Sequence, residues 1–340
     1  VLARPRDPDG RAGTDPSPCW RALDDHAVRP PEPMGATRII LGGIARIWGR
    51  LPAIGSWTYV AYRSARALLA RGNFDCVMTG YLPFRTALVG YALKKEFGIP
   101  WVVRFPDPSP WCLYPEPYGP GRPVTTRDRY MVRRVRDALR SADALIAPSA
   151  RMTAYVNRVY DGVFGEHQIV LPHVGWSRPG NGQRPRGQVH ILHAGIMTRQ
   201  RESDRIATML HRVLRAARAL GLDVRLTFTG YVSEEQRLSQ RMNDFGSHVD
   251  WAPPVPYEES LAQMSAATGL LLLEAVMGEG IYLPSKLADY AVSGRPVLMF
   301  SPETGTIADL VGGRAHPGFL TQDPELAATR LVEFIRKAAA

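Results

Sequence analysis

From Phe74 onward the apolar positions of the chain switch repeatedly between two periods. Short apolar runs, "FDCVMTG", "IPWVVRF", "DALIAPS" and "HQIVLPHVG", read as buried strands. Between them "LPFRTALVGYALKKEFG", "TTRDRYMVRRVRDALRSA" and "ARMTAYVNRVY" place apolar residues at the three-to-four spacing of a helix face. Strand and helix in turn imply βαβ units and a parallel sheet covered on both faces. The alternation stops at the polar stretch "SRPGNGQRPRGQ" (177–188), the best interdomain linker. It then restarts with "VHILHAG" as strand, Arg201 to Leu220 as helix, "DVRLTFTG" as strand and Ser233 to Phe245 as helix. "HVDWAP" (strand), "YEESLAQMSAA" (helix), "TGLLLLEA" (strand), "SKLADYAVSG" (helix) and "RPVLMFS" (strand) complete it.

Two parallel α/β sheets in series are therefore expected, with domains over 1–180 and 181–340. The first 35 residues, rich in Pro, Arg, Asp and Gly, read as a strand end and an irregular loop. Ile44 to Arg71 reads as a helix mixing Trp48, Trp57 and other apolar residues with arginines.

Composition narrows the class. With 45% hydrophobic and 22% charged residues among 340, the chain is an ordinary globular one. Its apolar stretches are far shorter than the roughly 20 residues of a membrane span. Cys19, Cys76 and Cys112 are too few and too scattered for a disulfide framework or a zinc site, and they read as reduced, cytoplasmic thiols. The net charge of +10 comes almost wholly from arginine, the lysines being Lys94, Lys95, Lys286 and Lys337. Such a charge suits anionic partners, although arginines spread over solvated faces explain most of it. No nucleic-acid-binding signature accompanies it, so nucleic acid is not an expected partner.

Chemistry is expected where strands of a parallel sheet deliver the chain into loops and helix N-termini. "EGIYLPSKLADYAVSGRPVL" (Glu279 to Leu298) has that placement, with Gly278 and Gly280 in the loop and Ser285 as a helix cap. Lys286 and Asp289 then lie one turn apart, suited either to the phosphates and ribose of a nucleoside diphosphate or to an ordinary surface ion pair. "ILHAGIMTRQR" puts Gly195 at a strand end with Arg199 and Arg201 behind it, a second cation source or the start of a solvated helix face.

The segment "LPSKLADYAVSGRPVL" resembles the P-S-K-L-x-E-Y-x-A-x-G-x-P-V variant of glycosyltransferase family 4, enzymes of the GT-B fold that build bacterial polysaccharides and lipid-linked glycans. "GIPWVVRFPDP", "ADALIAPSARMTAYV", "IVLPHVGW", "LHAGI" and "LTFTG" follow in the family's order, and the similarity spans about residues 70–312. It implies an α/β GT-B architecture, two Rossmann-like domains facing a cleft, the first for the acceptor and the second for a nucleotide sugar. By position it implies that Lys286 holds the donor diphosphate and that Asp289 replaces the ribose-binding glutamate. Gly280, Ile281, Tyr282 and Leu283 would offer backbone amides, and Arg199 or Arg201 the second cation. The family's first glutamate is absent, Ile281 standing in its place and Glu279 two positions off. In "VVRFPDPSPW", Asp107 and Arg104 are candidates facing the cleft; Asp107 either orients an acceptor hydroxyl or caps its own turn. "VLARP" looks like the family's second strand, so its first strand and Gly-rich loop are expected to be missing.

The resemblance implies sugar transfer with retention of configuration, with the nucleotide sugar as co-substrate and no other cofactor. Fixed cations rather than a metal are expected to neutralise the leaving diphosphate, the D-x-D match at Asp7 to Asp9 lying in a Pro-rich loop. A glycan or lipid-linked acceptor, and peripheral contact with the acidic inner face of the plasma membrane through Arg127, Arg129, Arg133, Arg134, Arg136 and Arg140, complete the expectation. A GT-B epimerase, a non-catalytic nucleotide-sugar-binding domain and a basic nucleic-acid binder are the competing readings.

Overall fold

A computed structural model of the chain describes residues 56–80, 85–119, 121–175, 187–230 and 237–339. The irregular start with its D-x-D match, the expected loss of a leading strand, the 44–55 part of the first helix, most of the linker and the first turn of the 233–245 helix lie outside them. The chain divides into two compact units. The first takes described residues up to Tyr114, then 121–147 and 153–170; the second takes Pro115–Gly119, Pro148–Met152 and the described residues from Leu171 onward.

The first unit runs α1 (Ser56–Leu69), β1 (Val77–Thr79), α2 (Thr86–Phe97), β2 (Trp101–Arg104), α3 (Thr126–Leu139), β3 (Ala144–Ala147), α4 (Ala150–Val159, whose first turn groups with the second unit) and β4 (Gln168–Val170). The strands form one parallel sheet in the order β1-β2-β3-β4. Trp101 is its buried centre: the indole N–H donates to Thr79 Oγ1 at 2.9 Å, and a Cβ at Gly90 would lie 2.1 Å from that nitrogen. Gly98 ends α2 in the left-handed region, at φ 64°. Thr125 and Asp128 form a reciprocal capping box that starts α3.

The second unit runs β5 (Val189–Ala194), α5 (Asp204–Ala219), β6 (Val224–Thr229), α6 (Arg237–Met242), β7 (Val249–Ala252), α7 (Tyr257–Ala266), β8 (Gly269–Leu273), α8 (Lys286–Val292), β9 (Val297–Phe300), α9 (Thr306–Val311), β10 (Phe319–Leu320) and α10 (Pro324–Ala339). Its six strands are all parallel, in the order β10-β9-β8-β5-β6-β7. The chain winds outward from β5 through β6 to β7, returns to β8 on the other side of β5, and winds outward again. The direction reverses between β5 and β8, and a doubly wound sheet binds its ligands at the carboxyl ends beside such a switch point.

Both faces of this sheet are covered. Ile206, Leu210 and Val213 of α5 join Leu331 and Ile335 of α10 against one face. Leu261 and Met264 of α7, Tyr290 of α8 and Ile307 of α9 pack against the other. Each such buried aliphatic side chain contributes about 1.5–3 kcal/mol. β8 is buried along its whole length, which is why "GLLLL" shows no polar alternation.

Three elements depart from the sequence reading. α5 starts at Asp204 rather than Arg201, because Ser203 is extended and its Oγ accepts the Ile206 N–H at 3.3 Å, leaving Arg199–Arg201 as a separate 3-10 turn. The described end of the 233–245 helix is α6 followed by a 3-10 turn, kinked where Gly246 adopts φ 48°. Beyond β9 the chain adds α9, β10 and α10, which complete the sheet and its cover.

Candidate functional site

The carboxyl ends of β5 and β8 carry the cluster. β5 ends "His193-Ala194-Gly195", and Gly195 turns the chain at φ 133°, a conformation open to glycine. The Lys286 side chain lies across that glycine: a Cβ there would stand 2.6 Å from Nζ. Gly230, at the end of neighbouring β6, has φ 141°, and a Cβ on it would come within 2.5 Å of the Gly195 carbonyl. Two adjacent strand ends are thus free of side chains where Lys286 arrives.

Lys286 is held there by its helix. Tyr290, wholly buried one turn further along α8, accepts the Ala194 N–H at 2.8 Å through its hydroxyl. That bond pins α8 to the end of β5. Ser285 does not cap α8 as expected from sequence. It already has helical dihedrals, φ −58° and ψ −34°, whereas a side-chain cap needs an extended residue.

Behind Lys286 lies His193, buried, with Nδ1 2.8 Å from the Leu271 carbonyl and Nε2 3.2 Å from Lys286 Nζ. Burial, with the Lys286 charge, pushes the imidazole pKa well below its ordinary value, so the ring is neutral. The carbonyl takes the Nδ1 proton, which leaves Nε2 to accept from the ammonium. Burial, with the nearby Arg201 charge, lowers Lys286 to about 7.

Arg201 is the second cation. Its Nη1 donates to the Ile196 carbonyl at 3.1 Å, the Tyr118 hydroxyl bonds to the guanidinium, and its charge reaches Lys286, His193, Glu274 and Tyr290. Its Nε is buried without a hydrogen-bond partner among the described residues, as is Thr198 Oγ1 on the same turn. Arg199 is exposed on that turn. Because α5 begins only at Asp204, Arg201 is not on a solvated helix face. Glu274, one residue beyond β8, is buried and takes the Ser301 hydroxyl; burial raises its pKa to about 7. Neither Lys286 nor Arg201 forms an ion pair among the described residues.

The loop before α8 fills the rest. Gly280 donates its N–H to the Thr304 carbonyl at 2.9 Å, so this one of the four expected amides points into the protein. The Ile281 side chain is buried, and its carbonyl accepts from Ser149 Oγ and Thr306 Oγ1, each at 3.0 Å. Tyr282 packs edge-on against Tyr118 with centroids 5.1 Å apart, and Leu283 packs on the core. Glu279 is exposed and paired with Arg151 at 2.7 Å. Asp289 accepts from the Tyr257 hydroxyl at 2.7 Å. Asp107 lies in the first unit, half-buried beyond β2, and Arg104 is exposed at the end of that strand.

Of the residues singled out from sequence, the structure brings Gly195, Lys286 and Arg201 together at the strand ends, with Asp289 one turn along α8; His193, Thr198, Tyr257, Glu274 and Tyr290 lie beside them and were not singled out. For His193 and Glu274 the local signal was a polar residue at the end of an apolar run, in "VHILHAG" and "GLLLLEA", and Tyr290 stands at the tyrosine of the "LPSKLADYAVSGRPVL" segment. Among the described residues no group of three or more His, Cys, Asp or Glu side chains is assembled to hold a metal ion.

Two parallel α/β sheets in series, the second doubly wound, define a GT-B architecture, and solved structures with that fold superimpose on it. HepE from Anabaena, in complex with UDP and glucose, matches at 14% identity and TM-score 0.53, covering 85% of this chain and 78% of its own. WaaG, a glycosyltransferase involved in lipopolysaccharide biosynthesis, matches at 16% identity and TM-score 0.55, covering 74% and 72%. An E. coli trehalose-6-phosphate structure bound with UDP-2-fluoro glucose matches at 10% and 0.55, covering 83% and 73%. At these identities the likeness establishes the fold. Comparison with the curated proteins gives no significant match. The family description "Glycosyl transferase 4-like domain" matches residues 4–173, half of the chain. The chain belongs to that family and is by class a glycosyltransferase.

Proposed function

We propose that the protein transfers a glycosyl group from a nucleoside-diphosphate sugar to a glycan or lipid-linked acceptor, with retention and without a metal. One observation carries the donor assignment: Lys286 and Arg201 converge at the switch point, unpaired with carboxylates among the described residues, beside two buried donors, Arg201 Nε and Thr198 Oγ1, that none of the described groups satisfies. Buried donors are nearly always satisfied, so such a pair beside two cations calls for an anion with several acceptor oxygens. A diphosphate fits that requirement, and HepE was solved with UDP.

The reaction places negative charge on the bridging oxygen as the anomeric C–O bond breaks. Fixed cations in a partly dry site stabilise that charge without reorganising. Lys286, backed by neutral His193, and Arg201 supply it here. Asp289 would take the ribose hydroxyls, and Asp107 the acceptor. Retention is inferred from the family resemblance. Exposed Arg127, Arg129 and Arg133 along α3 favour contact with an acidic membrane surface that presents the acceptor.

The test is thermal shift and calorimetry with UDP, GDP, ADP and their sugar conjugates. One nucleoside diphosphate is expected to raise Tm in a concentration-dependent way. No stabilisation by any of them overturns the donor assignment.

A further inference from the structure

The resemblance places an aspartate where the family carries a glutamate, and one missing methylene shortens the reach of the carboxylate by about 1.5 Å, one carbon–carbon bond. The structure puts a phenol against it. Tyr257, first residue of α7, donates its hydroxyl to Asp289 Oδ1 at 2.7 Å. The two residues come from helices separated by a strand, and they meet because both helices bury their apolar sides in one cluster, Leu261 and Met264 of α7 against Tyr290 of α8. From a further segment Gly175 packs so closely that a Cβ on it would stand 2.3 Å from the Ala288 carbonyl and 3.1 Å from the Asp289 nitrogen. Asp289 is thus fixed by backbone packing and by one hydroxyl. Its Oδ2 takes no protein partner among the described residues.

The chemistry of this pair is that of a diol acceptor. A carboxylate that takes one hydrogen bond at Oδ1 keeps both lone pairs of Oδ2 for hydroxyl donors, and a phenol that has given its proton away is itself an acceptor at its oxygen. Tyr257 is 51% exposed, so a ligand can reach it. Resting on the donor assignment above, we propose that Tyr257 is a positioning residue for the nucleotide ribose. It holds Asp289 with Oδ2 outward, makes good the missing reach, and so gives the site its preference for a vicinal diol over a deoxyribose.

Calorimetry on the full chain tests this. UDP, GDP and ADP are titrated first, and the tightest is carried forward with its 2′-deoxy and 3′-deoxy forms and with inorganic pyrophosphate. In Tyr257→Phe the nucleoside diphosphate should bind about fivefold to tenfold more weakly, the loss expected for one hydrogen bond. Pyrophosphate should bind as before, and the ribose-to-deoxyribose preference should shrink by the same factor. Adding Asp289→Glu to Tyr257→Phe restores the reach and should recover most of the loss. Unchanged nucleotide affinity in Tyr257→Phe, an equal loss for pyrophosphate, or a wild-type protein indifferent to ribose hydroxyls overturns the proposal. Failure of every nucleoside diphosphate to bind the wild type overturns the donor assignment instead.

Discussion

Lys286 is a lysine placed where its charge is costly. Burial and Arg201 hold its pKa at about 7, and its one acceptor among the described residues is a neutral imidazole. A diphosphate beside it favours the ammonium, so donor binding above pH 7 should take up a proton. Affinity for a nucleotide sugar, whose pyrophosphate has no proton to lose in this range, is therefore expected to be highest below pH 7 and to fall as pH rises. Calorimetry in buffers of different ionisation enthalpy would read the proton directly. Lys286→Met removes the cation with little loss of volume; kcat/KM should drop on the order of 100-fold, the scale for losing one preorganised donor, and the pH dependence of binding should flatten.

At the scale of elements, the site depends on how α8 is tied to β5. Tyr290→Phe keeps the ring and removes the acceptor for the Ala194 amide, which would then be buried without a partner. A cost of about 1–3 kcal/mol in urea unfolding is expected. Because that bond sets the approach of α8, weaker binding of the nucleoside diphosphate should accompany it. Gly195→Ala acts on the same junction from the strand side. Its Cβ would meet Lys286 Nζ, and φ 133° is unfavourable for alanine, so binding should be lost even where the variant folds.

These same elements separate what the sequence discloses from what it hides. The strand and helix order, the Gly98 stop and the Thr125 start of α3 are local, and local patterns carry them. Lys286 and Gly195 were visible because each sits at the break of a periodic run. Tyr257, Glu274 and His193 acquire their roles from strand order and helix packing, since residues 93 apart, His193 and Lys286, meet only once β5 and β8 are neighbours. No spacing rule reaches that far. Arg201 was seen but put on the wrong element, because a serine cap two residues later outweighs the helix propensity of arginine.

For the molecule as a whole, the cluster leaves a mark on stability. Glu274 is raised to about 7, so the folded state holds its proton more tightly than the unfolded chain, and stability falls as pH rises from about 4.5 to 7. Lys286 is lowered to about 7, so the unfolded chain holds more protons from there to about 10.5, and stability rises with pH over that window. Glu274→Gln should abolish the first trend; the difference from wild type in unfolding free energy, read by urea titration, should grow between pH 4.5 and 7, by a few kcal/mol at most. The order of the second sheet has one more consequence. β5 lies at its centre yet is made first, while β10 and α10, which finish the edge and cover the face shared with α5, are made last. A ribosome-bound nascent chain therefore carries Ile206, Leu210 and Val213 uncovered by α10 until residues 324–339 emerge, and a premature stop before Pro324 leaves that surface open to chaperones and proteases.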